Sequence, residues 1–485
     1  MKNKILGSLL LLMIILFGGC TKDLLNLDPK TSLGETNAFE TKDRIVGQVN
    51  GMYAFMKSGA FLGGRYFVYN DVRAENFLPK STNLVTNYAT WNHTVLSSTN
   101  EVQNLWGAVY AGINAINIFI DGLNSHWGNG NLDGIITEAE YNQYKSEALA
   151  LRAISYFDLL QLYAQPFAKN NGDNPGLPLR LKGMKTGDEN DMARSTVAEV
   201  YQQILLDLDT AEPLAIEVYS TDLLNTTRIH RNTIIAFKTR VFLHMNNWAK
   251  VIAESAKIVT ATAPFVAPTG RGFALNATFA GVFAIPYTSK ESIFSMPFTS
   301  TNLAGTQNGL AHYYHPSSSE SYFLDTIPGT TFTKIDMNDA RKKLMVKNGG
   351  NYFVGKWTNF TVQTDYAPVM RYAEVLLNYA EAIARNANSA NQQALDLLNA
   401  VRSRSFATGA YALSDFGNLQ AFLDAVMLER NIEFLAEGIR NMDIMRTVTD
   451  IPAKGGVSTI PPTSQSYIWP IPTSELNINK LMIGN

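Results

Sequence analysis

Apolar side chains recur every three or four positions over much of the chain, which is the spacing of one buried face of an α-helix. The first long runs of this kind span 101–120 and 141–163. Later runs with the same period cover 231–246, 248–259, 370–385, 391–404 and 422–434. Several runs follow one another across short polar turns, so each helix would cover the apolar face of its neighbour. The pattern predicts a mainly α-helical fold built from tetratricopeptide-like helix pairs.

The middle of the chain lacks this helical period. Residues 260–369 are rich in Gly, Pro, Ser, Thr and aromatic residues, a composition typical of long loops with short strands. We therefore expect a loop-rich region supported by the helices. The helical region at 41–260 and the C-terminal region at 261–485 are expected to form one intertwined globular unit.

Two short sequences have the spacing of a helix-starting capping box, in which Ser or Thr is followed three residues later by Glu. They are Ser98 with Glu101 and Thr196 with Glu199. In such a box, each side chain accepts a hydrogen bond from the other residue's backbone N–H. We therefore expect a helix to begin at each of these positions.

The N-terminus has the layout of a secretory signal. Positively charged and then apolar residues run from Lys2 to Phe17, and two glycines precede Cys20, the single cysteine of the chain. The segment resembles a bacterial lipobox, in which the signal is cut just before a lipid-modified cysteine. We expect a signal peptide at 1–19, lipidation of Cys20 and a tether at 20–40. An ordinary signal with a coincidental cysteine, or a single signal-anchor helix, is the alternative.

Composition excludes several classes of function. The formal net charge is −2, so the chain lacks the basic footprint of a nucleic-acid-binding protein. One cysteine permits neither an internal disulfide nor a thiolate zinc site. Charged residues make up 17% of the chain and aromatic residues 11%, a balance that suits neutral polar ligands such as sugars.

Several segments, in order along the chain, are similar to motifs of the SusD/RagB family of outer-membrane lipoproteins. The C-terminal ones are Arg371–Ile383, Leu398–Arg404, Glu429–Arg440 with Asp443 and Arg446, and Trp469–Pro472. The N-terminal ones are Glu147–Phe157 and Arg231–His244. One motif, at Asp71–Asn76, matches the family pattern only approximately.

The resemblance implies a helical protein with a loop-rich ligand face, on the outer surface of a Bacteroidetes cell. Members of this family cap a SusC-like TonB-dependent transporter and pass glycans, or sometimes peptides, to it without hydrolysing them. The expected function is therefore that of a cell-surface oligosaccharide-binding lipoprotein. Two alternatives stay open, namely a peptide-binding member of the family and a glycoside hydrolase.

Sugar recognition needs aromatic faces for apolar C–H surfaces and polar groups for hydroxyls. Residues of both kinds that lie outside the predicted helical stripes are therefore candidate ligand contacts, and packing under a loop is their alternative role. The candidates are Asp71, Arg73, Asn76, Tyr88, Trp91, Tyr313, Tyr314, Tyr322 and Trp357. His312 and His315 flank two of these tyrosines.

The segment between the first two long helices has the spacing of an EF-hand calcium loop. The expected ligands, at loop positions 1, 3, 5, 7 and 12, are Asn129, Asn131, Asp133, the carbonyl of Ile135, and Glu140. Gly134 falls at the sharp turn and Ile136 at the customary apolar position. The sequence predicts a weak, structural calcium site, and a polar turn with a helix N-cap is the alternative.

Acidic residues on one predicted helix are the basis of the hydrolase alternative. Glu429, Glu433 and Glu437 lie on one face, and Asp443 follows. A glycosidase needs two carboxyl groups flanking the sugar. Arginines at 430, 440 and 446 are interleaved with these acids, however, so ion pairing is the simpler interpretation.

Overall fold

A computed structural model describes residues 37–84, 87–187 and 190–485. The expected signal peptide, Cys20 and most of the tether lie outside these residues. Within the described part of the chain, none of the helices combines the length and apolar character needed to span a bilayer.

Helices dominate the fold, in agreement with the expectation from periodicity. The helices of the N-terminal half are α1 (Lys42–Met56), α2 (Arg65–Val72), α3 (Tyr88–Trp91), α4 (Asn100–Gly128), α5 (Glu138–Tyr163), α6 (Val197–Ala211), α7 (Asp222–Thr227), α8 (Arg231–His244) and α9 (Trp248–Ile258). Those of the C-terminal half are α10 (Phe279–Val282), α11 (Leu310–Tyr314), α12 (Thr331–Lys334), α13 (Ala340–Lys343), α14 (Tyr372–Ala387), α15 (Gln392–Ser405), α16 (Leu419–Glu433), α17 (Arg440–Arg446) and α18 (Thr473–Ile478).

The long helices pack mainly against their neighbours in the chain. Helix α5 contacts both α4 and α6, α8 contacts α9, and α14 contacts α15. Helix α9 also packs on α14, which joins the N-terminal and C-terminal helices. Their apolar stripes merge into one large core. The prediction of a mainly α fold made of helix pairs is confirmed.

Short strands lie where the helical period is missing. They form three antiparallel two-stranded ladders within the described residues. The ladders pair β1 (Phe77–Pro79) with β3 (Tyr322–Leu324), β2 (Ser292–Met296) with β6 (Ala367–Arg371), and β4 (Met345–Asn348) with β5 (Asn351–Val354). The first ladder brings the loop after α2 against the loop-rich middle of the chain.

One of the two expected capping boxes is present. The Thr196 hydroxyl accepts a hydrogen bond from the Glu199 N–H at 3.1 Å, and Glu199 accepts one from the Thr196 N–H at 2.7 Å. The box at Ser98 is wrong, because α4 has Thr99 as its N-cap. Glu101 is buried and accepts hydrogen bonds from the hydroxyl and the N–H of Thr90. Its carboxylate thus satisfies buried donors of α3 instead of the end of its own helix.

Candidate functional site

The three polar candidates near the end of α2 are buried and face the C-terminal part of the chain. Asp71 accepts hydrogen bonds through Oδ2 from the Tyr314 hydroxyl at 2.7 Å and the Gly438 N–H at 3.0 Å. Burial raises the pKa of Asp71 to about 8, although these two donors act in the opposite direction. Asp71 therefore joins α2 to α11 and to the segment between α16 and α17.

Arg73 and Asn76 make similar long-range contacts. Arg73 donates to Asn441 Oδ1 at 3.2 Å and to the Tyr467 carbonyl at 2.7 Å. Asn76 donates to Asn431 Oδ1 at 2.6 Å. The side chains of Asp71, Arg73 and Asn76 are all buried, so none of them offers a surface to a ligand in this structure.

Most of the aromatic candidates are also buried. At most 5% of each residue is exposed for Trp91, Tyr313, Tyr314, Tyr322 and Trp357. The Trp91 indole also donates to the Phe77 carbonyl at 2.7 Å, so its polar edge is used inside the protein. A covered ring has no face for a sugar, and in this structure all five rings lie inside the protein. Tyr88 is half-buried against Trp91 and stays a predicted ligand contact.

Two other pairs of aromatic rings lie half-exposed in the loops. Tyr287 and Tyr366 have ring centroids 4.9 Å apart, and His315 stacks on Phe360 at 5.3 Å with an angle of 10° between the rings. We call these four residues the loop aromatic face. Sequence reasoning included His315 as the end of the candidate segment His312–His315 and missed the other three. Their position in the Gly-, Pro- and Thr-rich segment outside the helical stripes was the available signal.

The buried carboxylate of Asp365 links two of the loops that carry the loop aromatic face. Asp365 accepts hydrogen bonds from the Tyr287 hydroxyl at 3.1 Å and from the Asn359 N–H at 2.9 Å. Burial raises the pKa of Asp365, whereas its hydrogen-bond donors and the nearby charge of His315 favour the ionised form. The loop that carries Phe360 is thereby tied to the loop that carries Tyr287.

Polar contacts tie the loop after β1 to the loop that carries His315. Lys80 donates to the Ser318 carbonyl at 2.9 Å, and Asn83 donates to Glu320 at 2.9 Å. Glu320 also lies 3.0 Å from Nε2 of His312. Half-exposed rings and polar amide and carboxylate groups are thus carried by loops of defined position, an arrangement able to bind a polar ligand that has apolar patches.

Comparison with known proteins gives the family. Residues 313–485 match the model of the SusD family, and residues 23–243 match a model described as starch-binding associating with outer membrane. A solved SusD superfamily protein from Bacteroides fragilis is 31% identical, with a TM-score of 0.81 over 92% of this chain and 99% of that one. The chain belongs to the SusD family.

Two more distant proteins are similar over nearly their whole length. A SusD-like protein of Formosa agariphila is 23% identical, over 97% of this chain and 96% of its own. Surface glycan-binding protein A of Bacteroides thetaiotaomicron, solved in complex with laminarihexaose, is 17% identical with a TM-score of 0.70, over 92% of this chain and 99% of its own. The likeness to the latter shows a shared fold.

The SusD-type motifs of the C-terminal half meet in a buried cluster of ion pairs. Glu433 contacts both Arg371 and Arg404, Glu437 accepts from Arg371 at 2.7 Å, and Glu429 pairs with Arg402 at 3.0 Å. Burial alone would raise the pKa of Glu433, but the surrounding arginines outweigh it and hold the pKa well below its usual value.

The fourth acid is paired in the same way. Asp443 accepts hydrogen bonds from Arg430 and Arg446, both at 2.8 Å. The expected ion pairing of Glu429, Glu433, Glu437 and Asp443 is confirmed. These carboxylates are at most 4% exposed and do not flank an open sugar site, so the structure does not support the hydrolase alternative that was based on them.

The EF-hand-like loop lies between α4 and α5 as expected. Gly134 has a φ of +76°, Ile136 is buried, and the loop side chains Asn129, Asn131 and Asp133 are exposed. Glu140 accepts a hydrogen bond from the Thr137 N–H at 2.9 Å and pairs with Lys42.

This geometry agrees with both interpretations of the loop. The turn conformation fits the EF-hand spacing, and the capping box of Thr137 and Glu140 fits the alternative of a polar turn with an N-cap. Calcium binding by Asn129, Asn131, Asp133, Ile135 and Glu140 stays a prediction. Elsewhere in the described ranges, no three His, Cys, Asp or Glu side chains are grouped as metal ligands.

Proposed function

We propose that this SusD-family protein is a cell-surface lipoprotein that binds oligosaccharides and delivers them to a SusC-like TonB-dependent transporter in the outer membrane. The loop aromatic face is the observation that carries this proposal. Its rings are half-exposed and paired, and Asp365 holds both the Tyr287 hydroxyl and the backbone of the loop that carries Phe360. The rings therefore need little ordering when a ligand binds.

The chemistry of this face suits a glycan. The apolar C–H surface of a pyranose ring packs on an aromatic ring, while its hydroxyls bond to amides, carboxylates and bridging water. Phe360 and Tyr366 would provide the stacking surfaces, with Glu320 and Asn83 on the neighbouring loops as polar partners. The complex of the Bacteroides thetaiotaomicron protein with laminarihexaose and the starch-binding description of the matched model agree with a glycan ligand.

The membrane attachment in this proposal depends on Cys20. Several acyl chains on one residue would anchor the body, because each buried CH₂ contributes about 0.8 kcal/mol. Cys20→Ser should therefore abolish incorporation of radiolabelled palmitate and release the protein from membranes. With the lipid in place, a TonB-dependent transporter should co-purify with the protein from solubilised outer membranes. Membrane retention of the unlipidated variant would contradict the anchor.

Affinity electrophoresis through gels that contain a panel of polysaccharides tests glycan binding. The protein lacking only residues 1–20 retains all the contacts described above and is the form to use. We expect at least one glycan to retard it, and Phe360→Ala and Tyr366→Ala each to weaken this binding about tenfold, equivalent to about 1.4 kcal/mol. Tyr141→Ala is the matched control, because Tyr141 is also half-buried and stacked, but on Trp127 in the helical region.

Two results would overturn the proposal. Retardation by none of the glycans, together with binding of peptides in solution, would select the peptide-binding alternative. Release of reducing sugar from a bound glycan would instead show hydrolysis. Equal binding by all three variants and the wild type would move the glycan site away from the loop aromatic face.

A further inference from the structure

Four lysines near the β4–β5 hairpin form a patch without acidic partners. They are Lys334, Lys342, Lys343 and Lys347, which we call the lysine patch. No carboxylate within the described ranges lies at ion-pair distance from any of them, whereas Lys257 and Lys356 each pair with glutamate. In a chain of nearly balanced charge, this is a local excess of positive charge.

Two acids lie between the lysines in sequence. Asp339 is buried and pairs with Arg341 at 2.7 Å, whereas Asp336 is exposed and offsets one of the four lysine charges, which leaves a net positive patch. Arg341 is itself buried and pairs with Glu429 and Glu433 of the ion-pair cluster. The lysines are therefore the basic residues at this surface.

Aromatic rings position two of the ammonium groups. The Lys342 ammonium lies 3.3 Å from the centre of the Phe332 ring, and the Lys347 ammonium lies 5.6 Å from the centre of the Tyr352 ring. The two rings are themselves 4.7 Å apart. A cation–π contact holds a lysine without neutralising its charge. The Lys342 ammonium also donates to the Phe332 carbonyl, and both groups keep a positive charge that attracts an anion.

A polar cavity of about 210 Å³ adjoins the patch at Lys334. Thr330, Thr331 and Asn431 line it with hydroxyl and amide groups. Of its two carboxylates, Glu75 pairs with Arg440 at 2.7 Å, and Asp424 accepts a hydrogen bond from Gln420 at 2.7 Å. The cavity is smaller than the roughly 300–1,000 Å³ of sites for drug-sized ligands, and it suits one small polar ring.

We propose that the lysine patch and this cavity form a second ligand surface, selective for polysaccharides that carry sulfate or carboxylate groups. This inference rests on the proposed glycan-binding function and names the substrate class. The cavity takes one sugar ring of the chain, and the lysines bind anionic groups on the units that follow. The cavity favours such a polymer over an anionic membrane, because a flat bilayer surface has no polar ring to fill it.

The test compares a sulfated polysaccharide (carrageenan), a carboxylated one (polygalacturonate) and a neutral one (laminarin) in affinity gels. The variant carries Lys334→Gln, Lys343→Gln and Lys347→Gln. A triple variant with Lys250→Gln, Lys290→Gln and Lys480→Gln makes the same charge change at exposed lysines outside the patch. Mobility in a gel without polysaccharide corrects for the altered charge.

We expect an anionic polysaccharide to retard the wild type and the control triple variant equally. The patch variant should bind it at least tenfold more weakly, and binding should fall as sodium chloride is raised, because salt screens exposed charges. Equal binding by the two triple variants would overturn the inference, as would binding of laminarin alone. In that last case the proposed glycan-binding function would survive. Binding to phosphatidylglycerol vesicles but to no anionic polysaccharide would assign the patch to a membrane surface instead.

Discussion

The Tyr314 hydroxyl donates a hydrogen bond to Asp71 across 243 positions of sequence, with 2.7 Å between the two oxygens. This contact ties α2 to the short helix that precedes the loop of His315. Because α11 ends at Tyr314, directly before His315, the hydrogen bond to Asp71 helps to fix the backbone that positions the loop aromatic face. The approximate SusD-type motif at Asp71–Asn76 thus contributes to the architecture beneath the proposed site.

The buried Asp71 should make stability depend on pH in a specific direction. In an unfolded chain the pKa of aspartate is about 3.9, and burial raises the folded value to about 8. Between these values the folded protein keeps a proton that the unfolded chain has released, so stability from Asp71 is lost as pH rises. From pH 5 to pH 8, the urea midpoint of wild type should fall relative to that of Asp71→Asn. A constant difference between the two would contradict the prediction.

Trp91 should affect stability more than binding. Trp91→Ala removes a large buried ring, and we expect it to lower the free energy of unfolding by about 3–5 kcal/mol. Trp91→Phe keeps a ring but leaves the Phe77 carbonyl without its indole donor, so it should cost less, about 1–3 kcal/mol. Urea titration gives both values. A full loss of glycan binding with unchanged stability would instead identify Trp91 as a ligand contact.

The ion-pair cluster predicts a large effect at Glu433. Glu433→Gln leaves Arg371 and Arg404 buried without a full counter-charge, which should destabilise the fold by about 3–5 kcal/mol. Arg231→Gln breaks the more exposed pair with Glu217 and should cost about 0–1 kcal/mol. Chemical denaturation of both variants measures the contrast. A Glu433→Gln protein as stable as wild type would show that the cluster is not a structural unit.

The EF-hand-like loop gives a calcium prediction. Millimolar calcium should raise the melting temperature of wild type, because a ligand that binds only the folded state stabilises it. Glu140→Gln retains a residue suited to the capping box but removes the charge at loop position 12, so its melting temperature should not respond to calcium. Asp133→Asn tests a second ligand position in the same way. If calcium changed the melting temperature of wild type and both variants equally, the loop would be a polar turn with an N-cap and not a calcium site.

Helix periodicity was enough to predict most of the fold. The buried stripe of 370–385 appears as α14, Tyr372–Ala387, and that of 391–404 as α15, Gln392–Ser405. These elements follow from local apolar spacing, which a sequence shows directly. The Thr196 capping box was readable for the same reason, since its partners are three residues apart.

Site residues were harder to predict because exposure depends on distant partners. The residues around Trp91 have the composition of a surface loop. In the fold, however, β1 provides the carbonyl that accepts from its indole, and other parts of the chain cover its ring. Tyr287 and Tyr366 are 79 positions apart, and only the folded chain brings their rings into contact. Nothing in the local sequence distinguishes a loop aromatic that packs inward from one that stays half-exposed.

The long reach of α2 also bears on the order in which the chain can fold. Arg73 directly follows this helix. It contacts Asn441 and Tyr467, which lie 368 and 394 positions further along the chain. During synthesis from the N-terminus, these contacts cannot form until Asn441 and Tyr467 have been made. Contacts of such sequence separation close slowly, because a long loop must be ordered before they form. The nascent chain therefore lacks these tertiary contacts until the segment at 441–467 is available.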